Sequence, residues 1–448
     1  MQLNVSLPSG RSAALSLPVG GTIFDLKLAA REALGQGFLR LAAPDGCLLN
    51  PTEPLQDSGL QNGDRITAVA QKPKVVATGG TMALWCDGGD RIVTWGKDVG
   101  TLAVQDQIRN VLQIHATRSI RPAFAAILAN GRVVTWVSPG HWFHWDPDGD
   151  STRVMDELRN VQQIHATNGA FAALFAGGKV MTWGNPGHGG DSAGVRDQLR
   201  NVRKIHAAFF AFAAILADGS VVTWGDPDSG GDSTGVRAQL KNVQKIHATD
   251  RAFAAILADG SVVTWGSPEY GADSTSVRDR LTNVQKIHAT SLAFAAVLAD
   301  GSVVTWGNPD YGGDSAGVRD QLRNVQKIHA TYFAFAAILA DGSVVTWGSP
   351  NSGADSTRVK DQLKNVQKIH ATNRAFAAIL ADGSVVTWGN PGYGGDSAGV
   401  RDQLRNILEI HATCCAFAAI LRDGSVVTWG DPAYGGDITS VRAQLGHL

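Results

Sequence analysis

The sequence predicts a mainly β protein, a long array of repeated strand units behind a small α+β domain. Three observations carry this. A Thr-Trp pair recurs with its tryptophan at Trp95, Trp136, Trp183, Trp224, Trp265, Trp306, Trp347, Trp388 and Trp429, a step of 41 residues broken once by a step of 47. Each unit holds two short apolar runs around a tight turn, as in "AFAAILADGSVVTWG" (252–266). Residues 1 to about 71 lack the repeat and alternate apolar with polar positions around a single helical stretch.

Composition narrows the function classes. The 448 residues carry a formal charge of −1, so no basic excess points to nucleic acid. No run of about 18 apolar residues predicts a membrane span. Met1 opens on strand-like alternation instead of a basic and then apolar leader, and the four cysteines Cys47, Cys86, Cys414 and Cys415 show no disulfide or zinc spacing. The expected location is intracellular, cytoplasmic with the nucleus open, and the expected partners are proteins.

The first 71 residues read in order. "MQLNVSLPSGRSAALSLP" gives two alternating strands around Ser9-Gly10. A helix follows, capped by Thr22, with Ile23, Leu26 and Ala30 on one face. Short strands then lead to "LQNGDRITAVA". This order resembles ubiquitin-like domains, in register from Met1 through Lys27. The resemblance implies a β-grasp fold and an apolar partner-binding patch, whose matching positions are Pro8, Ala42 and Val69, with less apolar surface than the family presents. Conjugated members end in an exposed Gly-Gly; here Gly79-Gly80 lies inside the first repeat and reads as an ordinary turn.

From about residue 74 to 448 the chain holds nine copies of one unit, of which Lys245–Gln285 is a clean example. Asp259-Gly260 between "AFAAILA" and "SVVTWG" is a hairpin signal, because glycine reaches positive φ at little cost. "KIHAT" adds a third strand. After the turn-rich "GSPEYGADS", Asp273 or Ser274 could cap a short helix with Val277 and Leu281 on one face, or the segment could form an outer strand. One hairpin cannot bury its own apolar face, so the copies must stack, with Ile246, Phe253, Ile256, Val263 and Trp265 as shared core. "ILADGSVVTWG" preceded by "VQKIHAT" resembles the RCC1-type repeat of the RCC1 and HERC families. That implies an RCC1-like β-propeller; since "GADS" or "GGDS" replaces the family's "GQLG", an open superhelical array stays as the alternative.

No nucleotide loop, serine elbow or zinc-protease helix is present, and the chain reads as non-enzymatic, with no cofactor and no metal. The histidines at one repeat position (His115, His165, His206, His247, His288, His329, His370, His411) are spread one per unit, so each is expected to make a structural hydrogen bond. Alternating Asp226, Asp228 and Asp232 are read as turn and cap residues, and Cys414-Cys415 as a variable turn. HERC ligases carry their catalytic cysteine in a HECT domain; none follows Trp429 in this sequence.

Copies differ between "HAT" and "AF", where aromatic pairs Phe209-Phe210 and Tyr332-Phe333 replace polar ones such as Asp250-Arg251. The step of 47 comes from an insertion holding His141, Trp142, Phe143 and Trp145. Aromatic residues on exposed loops are what interfaces use as anchors, so these eight are the candidate partner-binding residues. The expected function is a protein-interaction scaffold or adaptor in ubiquitin signalling. An accessory chain of a HERC-like ligase, an RCC1-like exchange factor for a small GTPase and a lectin are the alternatives.

Overall fold

The computed structural model describes residues 1–448 except 19, 37, 51–52, 72, 87–91, 98–106, 109–110, 118–122, 138–156 and 443–448. The N-terminal unit is one mixed sheet and one helix. Strands β1 (Gln2–Ser6), β2 (Ser12–Ser16), β3 (Leu39–Ala42) and β4 (Arg65–Ala70) lie in the order β2-β1-β4-β3, with β1 and β4 parallel. Helix α1 (Ile23–Leu34) starts at a capping box: Thr22 Oγ1 accepts from the Asp25 amide, and the Asp25 carboxylate accepts from the Thr22 amide. It ends at Gly35 in the left-handed region. Its buried face (Ile23, Leu26, Ala30, Leu34) meets Leu3, Val5, Leu41, Ile66 and Ala68 from the sheet.

Every copy of the repeat forms a three-stranded antiparallel sheet, here called a blade. In blade 1 the strands are β5 (Pro73–Ala77), β6 (Thr81–Cys86) and β7 (Ile92–Gly96). Blade 5 is typical. Its inner strand is Val243–Ala248, its middle strand Ala252–Leu257 and its outer strand Val262–Gly266. The turn-rich segment that follows is neither α-helix nor strand but two 3₁₀ turns, Pro268–Tyr270 and Thr275–Arg280. Asp273 caps the second by accepting from the Thr275 amide, whereas Ser274 makes no cap bond and pairs with Thr264 Oγ1 at 3.0 Å.

Neighbouring blades interlock because the middle strand has one small face and one large one. Phe253, Trp265, Ile246 and Val263 of blade 5 pack on Ala211, Ala213 and Ile215 of blade 4. Phe253 and Trp265 stack at 5.2 Å. The indole Nε1 of Trp265 donates across the junction to the Gly230 carbonyl at 3.1 Å. Gly230 sits at φ +90, and a Cβ there would lie 2.6 Å from the Phe253 ring, so only glycine fits both the turn and the close approach.

The same hand-off joins the last blade to the first. Trp95 Nε1 donates to the Gly435 carbonyl at 3.2 Å, and Met82, Leu84 and Trp95 share a core with Ala418, Ile420 and Val441. The array is therefore a closed ring of nine blades, not an open spiral. The N-terminal unit docks at this seam. Phe38 is buried in the core shared by the first and ninth blades, with the Arg31 guanidinium over its ring at 5.6 Å.

Candidate functional site

Closure gathers the variable residue pairs at one mouth of the central channel. The local chemistry explains why the pairs are free to vary. In blade 5 the inner strand ends at Ala248, and Thr249 fixes the turn with its side chain: Oγ1 accepts from the Ala252 amide at 3.0 Å and donates to the Tyr270 carbonyl at 2.9 Å. The next two residues join this frame through their backbone. The Asp250 amide donates to the Ser291 carbonyl of blade 6, and the Arg251 carbonyl accepts from the Ser267 amide. The first kind of bond repeats from blade to blade. Asn168, Phe209, Asp250, Ser291, Tyr332 and Asn373 each donate to the equivalent residue of the next blade, ending at the Cys414 carbonyl. A belt of main-chain bonds holds the mouth, and the same backbone bonds form whichever side chains it presents.

In blades 5 to 9 the first residue of the pair lines the channel: Asp250, Ser291, Tyr332, Asn373 and Cys414 share its wall with Thr249 and its equivalents. The second lies sideways, over the loop. Arg251 covers Phe210 and Tyr270, each at 5.6 Å. Arg374 covers Phe333 at 5.5 Å and Tyr393 at 5.3 Å. His188 meets Phe210 at 4.5 Å, and Tyr311 meets Phe333 at 4.8 Å. Phe209, Phe210, Tyr332 and Phe333 are half-buried members of a cation–aromatic rim. Sequence reasoning missed His188, Tyr270, Tyr311 and Tyr393. Their signal was the third position of the first 3₁₀ turn, which changes between copies as the paired positions do. His141, Trp142, Phe143 and Trp145 lie outside the described residues.

Further down the channel the repeated histidines sit on the inner strands. Burial lowers the proton affinity of His115, His165, His206, His247, His288 and His329 to a pKa of about 4, and that of His370 to about 3. Neighbouring positive charges add repulsion: His247, His165 and Lys204 act on His206, and His247, His329 and Lys286 on His288. His411 is also lowered by burial, with Glu409 opposing. Among the described residues Nε2 makes a hydrogen bond in two blades, His115 to Gln113 at 3.1 Å and His165 to Gln163 at 3.3 Å, and in blade 9 His411 Nε2 lies 3.4 Å from the Glu409 carboxylate. In blades 4 to 8, Nε2 of His206, His247, His288, His329 and His370 has no hydrogen-bond partner among the described residues. Among those residues no three His, Cys, Asp or Glu side chains converge to hold a metal.

The aspartates behave as turn residues. Asp226 accepts from the Asp228 amide and from Ser229 Oγ, and Asp232 from the Thr234 amide. On the N-terminal unit, Val69 is 40% exposed and pairs across the strands with Arg40, while Pro8 is exposed in the β1–β2 turn. Ala42 is 9% exposed and offers little surface. Leu48, bridged to Ala42 and 56% exposed, supplies apolar area that the sequence reading did not assign.

No family model and no curated protein matches the chain. Solved structures do. The CRINKLY WD40 ectodomain of the Arabidopsis thaliana receptor kinase ACR4 is 14% identical, with 72% of this chain and 97% of that one covered at a TM-score of 0.37. Prp20p from Saccharomyces cerevisiae, described with its binding properties to Gsp1p and histones, is 15% identical over 67% of this chain and 81% of its own, at a TM-score of 0.35. Human WBSCR16 is 16% identical over 65% and 93%, at 0.37.

Proposed function

We propose that this protein is a non-catalytic interaction scaffold whose partner sits on the channel mouth. The observation that carries the reading is the division of labour in the turns. Thr249 and its equivalents, replaced by Ala208 in blade 4, together with the main-chain belt hold a frame that recurs from blade to blade. The two residues after each threonine differ from blade to blade on one rim. A constant frame with a varied row of side chains is how repeat proteins read a partner. The N-terminal unit, on its resemblance to ubiquitin-like domains, would engage a ubiquitin-pathway component through Val69 and Leu48.

The two halves are tested separately. Exchanging Asp250, Tyr332 and Asn373 for serine should abolish capture of the partner that the unaltered chain retrieves and leave melting unchanged. Equal capture by a chain altered at Asp259, Asp300 and Asp341, in the hairpin turns, controls for surface change. If the hairpin set weakens capture and the rim set does not, the rim is the wrong surface. For the N-terminal unit, titration with a ubiquitin-binding helical peptide should move the amide signals of Val69 and Leu48. No movement at millimolar peptide removes the ubiquitin link while leaving the rim untouched.

A further inference from the structure

The rim holds one pair unlike the others. Cys414 and Cys415 replace polar or aromatic residues in blade 9, beside the seam, and their sulfurs lie 2.8 Å apart. The frame does not ask for cysteine there, since the equivalent turns hold Asp250-Arg251 or Asn373-Arg374 on the same backbone bonds. Those bonds also prevent the pair from separating. The Cys414 carbonyl accepts from the Asn373 amide, the Cys415 carbonyl from the Asp431 amide, and the Cys415 amide donates to Thr413 Oγ1. Cys414 is half-buried and lines the channel mouth; Cys415 is 7% exposed behind it.

We propose that Cys414 and Cys415 are a reactive vicinal dithiol that exchanges with low-molecular-weight disulfides and closes to an intramolecular disulfide. The hydrogen bond between them and the nearby positive charges of Lys97 and Arg374 lower the proton affinity of Cys415; the same hydrogen bond raises that of Cys414. In the reactive form Cys415 is the thiolate and Cys414 a thiol donating to it across the 2.8 Å gap. As the Cys414 sulfur attacks one sulfur of a disulfide RSSR, its proton passes to Cys415, a Cys414–S–S–R bond forms and RS⁻ leaves. RS⁻ takes the proton from Cys415 and departs as RSH. The Cys415 thiolate then attacks the Cys414 sulfur and expels the second RS⁻, so two electrons pass from the dithiol to RSSR.

The test uses the full chain with Cys47→Ser, which removes the one fully exposed thiol. It is incubated folded with oxidised glutathione, quenched with acid and weighed intact. The expected product has lost two hydrogen atoms and carries no glutathione. Adding Cys415→Ser should trap one glutathione on Cys414, located by peptide mapping. Adding Cys414→Ser should slow modification at least tenfold, because the remaining sulfur is buried. Retention of glutathione by the chain with both cysteines, to the same extent as with Cys415→Ser, would overturn the proposal. So would no reaction in a chain whose melting is unchanged, or closure to a disulfide involving Cys86.

Discussion

The buried histidines make stability depend on pH in a way that one substitution can isolate. His247 has a pKa of about 4 in the folded ring against the ordinary 6.5 of an unfolded chain, because burial disfavours the imidazolium and Lys245 repels it. Its folded value is depressed, so the stability it permits is fully present above about pH 6.5 and is lost as pH falls towards 4. At about pH 5 the unfolded site is almost fully protonated and the folded site about one-tenth so, a difference of about 2 kcal/mol against the folded state. His247→Gln removes that difference. Relative to the unaltered chain, the variant should gain about 2 kcal/mol between about pH 8 and pH 5, whatever it costs at pH 8. Urea unfolding followed by tryptophan emission at the two pH values gives the comparison, and the histidine Cε1–H signals of the folded protein give the titration itself. A folded midpoint near 6 would mean that the channel solvates the imidazolium, and the burial argument would fail.

Other substitutions test the frame. Trp265→Phe keeps most of the ring but leaves the Gly230 carbonyl without its indole donor, which should cost about 1–3 kcal/mol; Trp265→Ala should cost about 3–5. Urea midpoints measure both, and a loss below about 0.5 kcal/mol for the alanine variant would place the indole outside the core. Gly230→Ala forces a Cβ to 2.6 Å from Phe253 at φ +90 and should lower melting well below that of Gly235→Ala, where nothing lies within 4 Å. Similar melting of the two would refute the close-approach reading. Residues 1 to 71 should unfold cooperatively when made alone, since their core includes Leu3, Leu26 and Ile66 without help from the blades. A non-cooperative thermal transition would show that Phe38 needs the seam to fold the unit.

Most local elements were legible in residue order alone, although the segment that reads as a short helix or an outer strand folds as two 3₁₀ turns. The 41-residue step, the hairpin at Asp259-Gly260, the capped helix from Ile23 and the buried set of Ile246, Phe253 and Trp265 follow from residue types acting within one unit. The variable pairs were legible as well, since comparing copies needs no coordinates. Closure was not. Whether nine blades end as a ring or a spiral depends on the small rotation at each junction, set by how Phe253 and Trp265 fit against Ala211 and Ala213, and on whether blade 9 then meets Trp95. Such angles are sums over the whole array and leave no mark in any one copy. The packing of His188 and Tyr311 on the rim and the unpartnered Nε2 atoms of His206, His247, His288, His329 and His370 among the described residues have the same origin. Each is a contact or a burial made only when neighbouring blades lie side by side, and tertiary packing alone decides it.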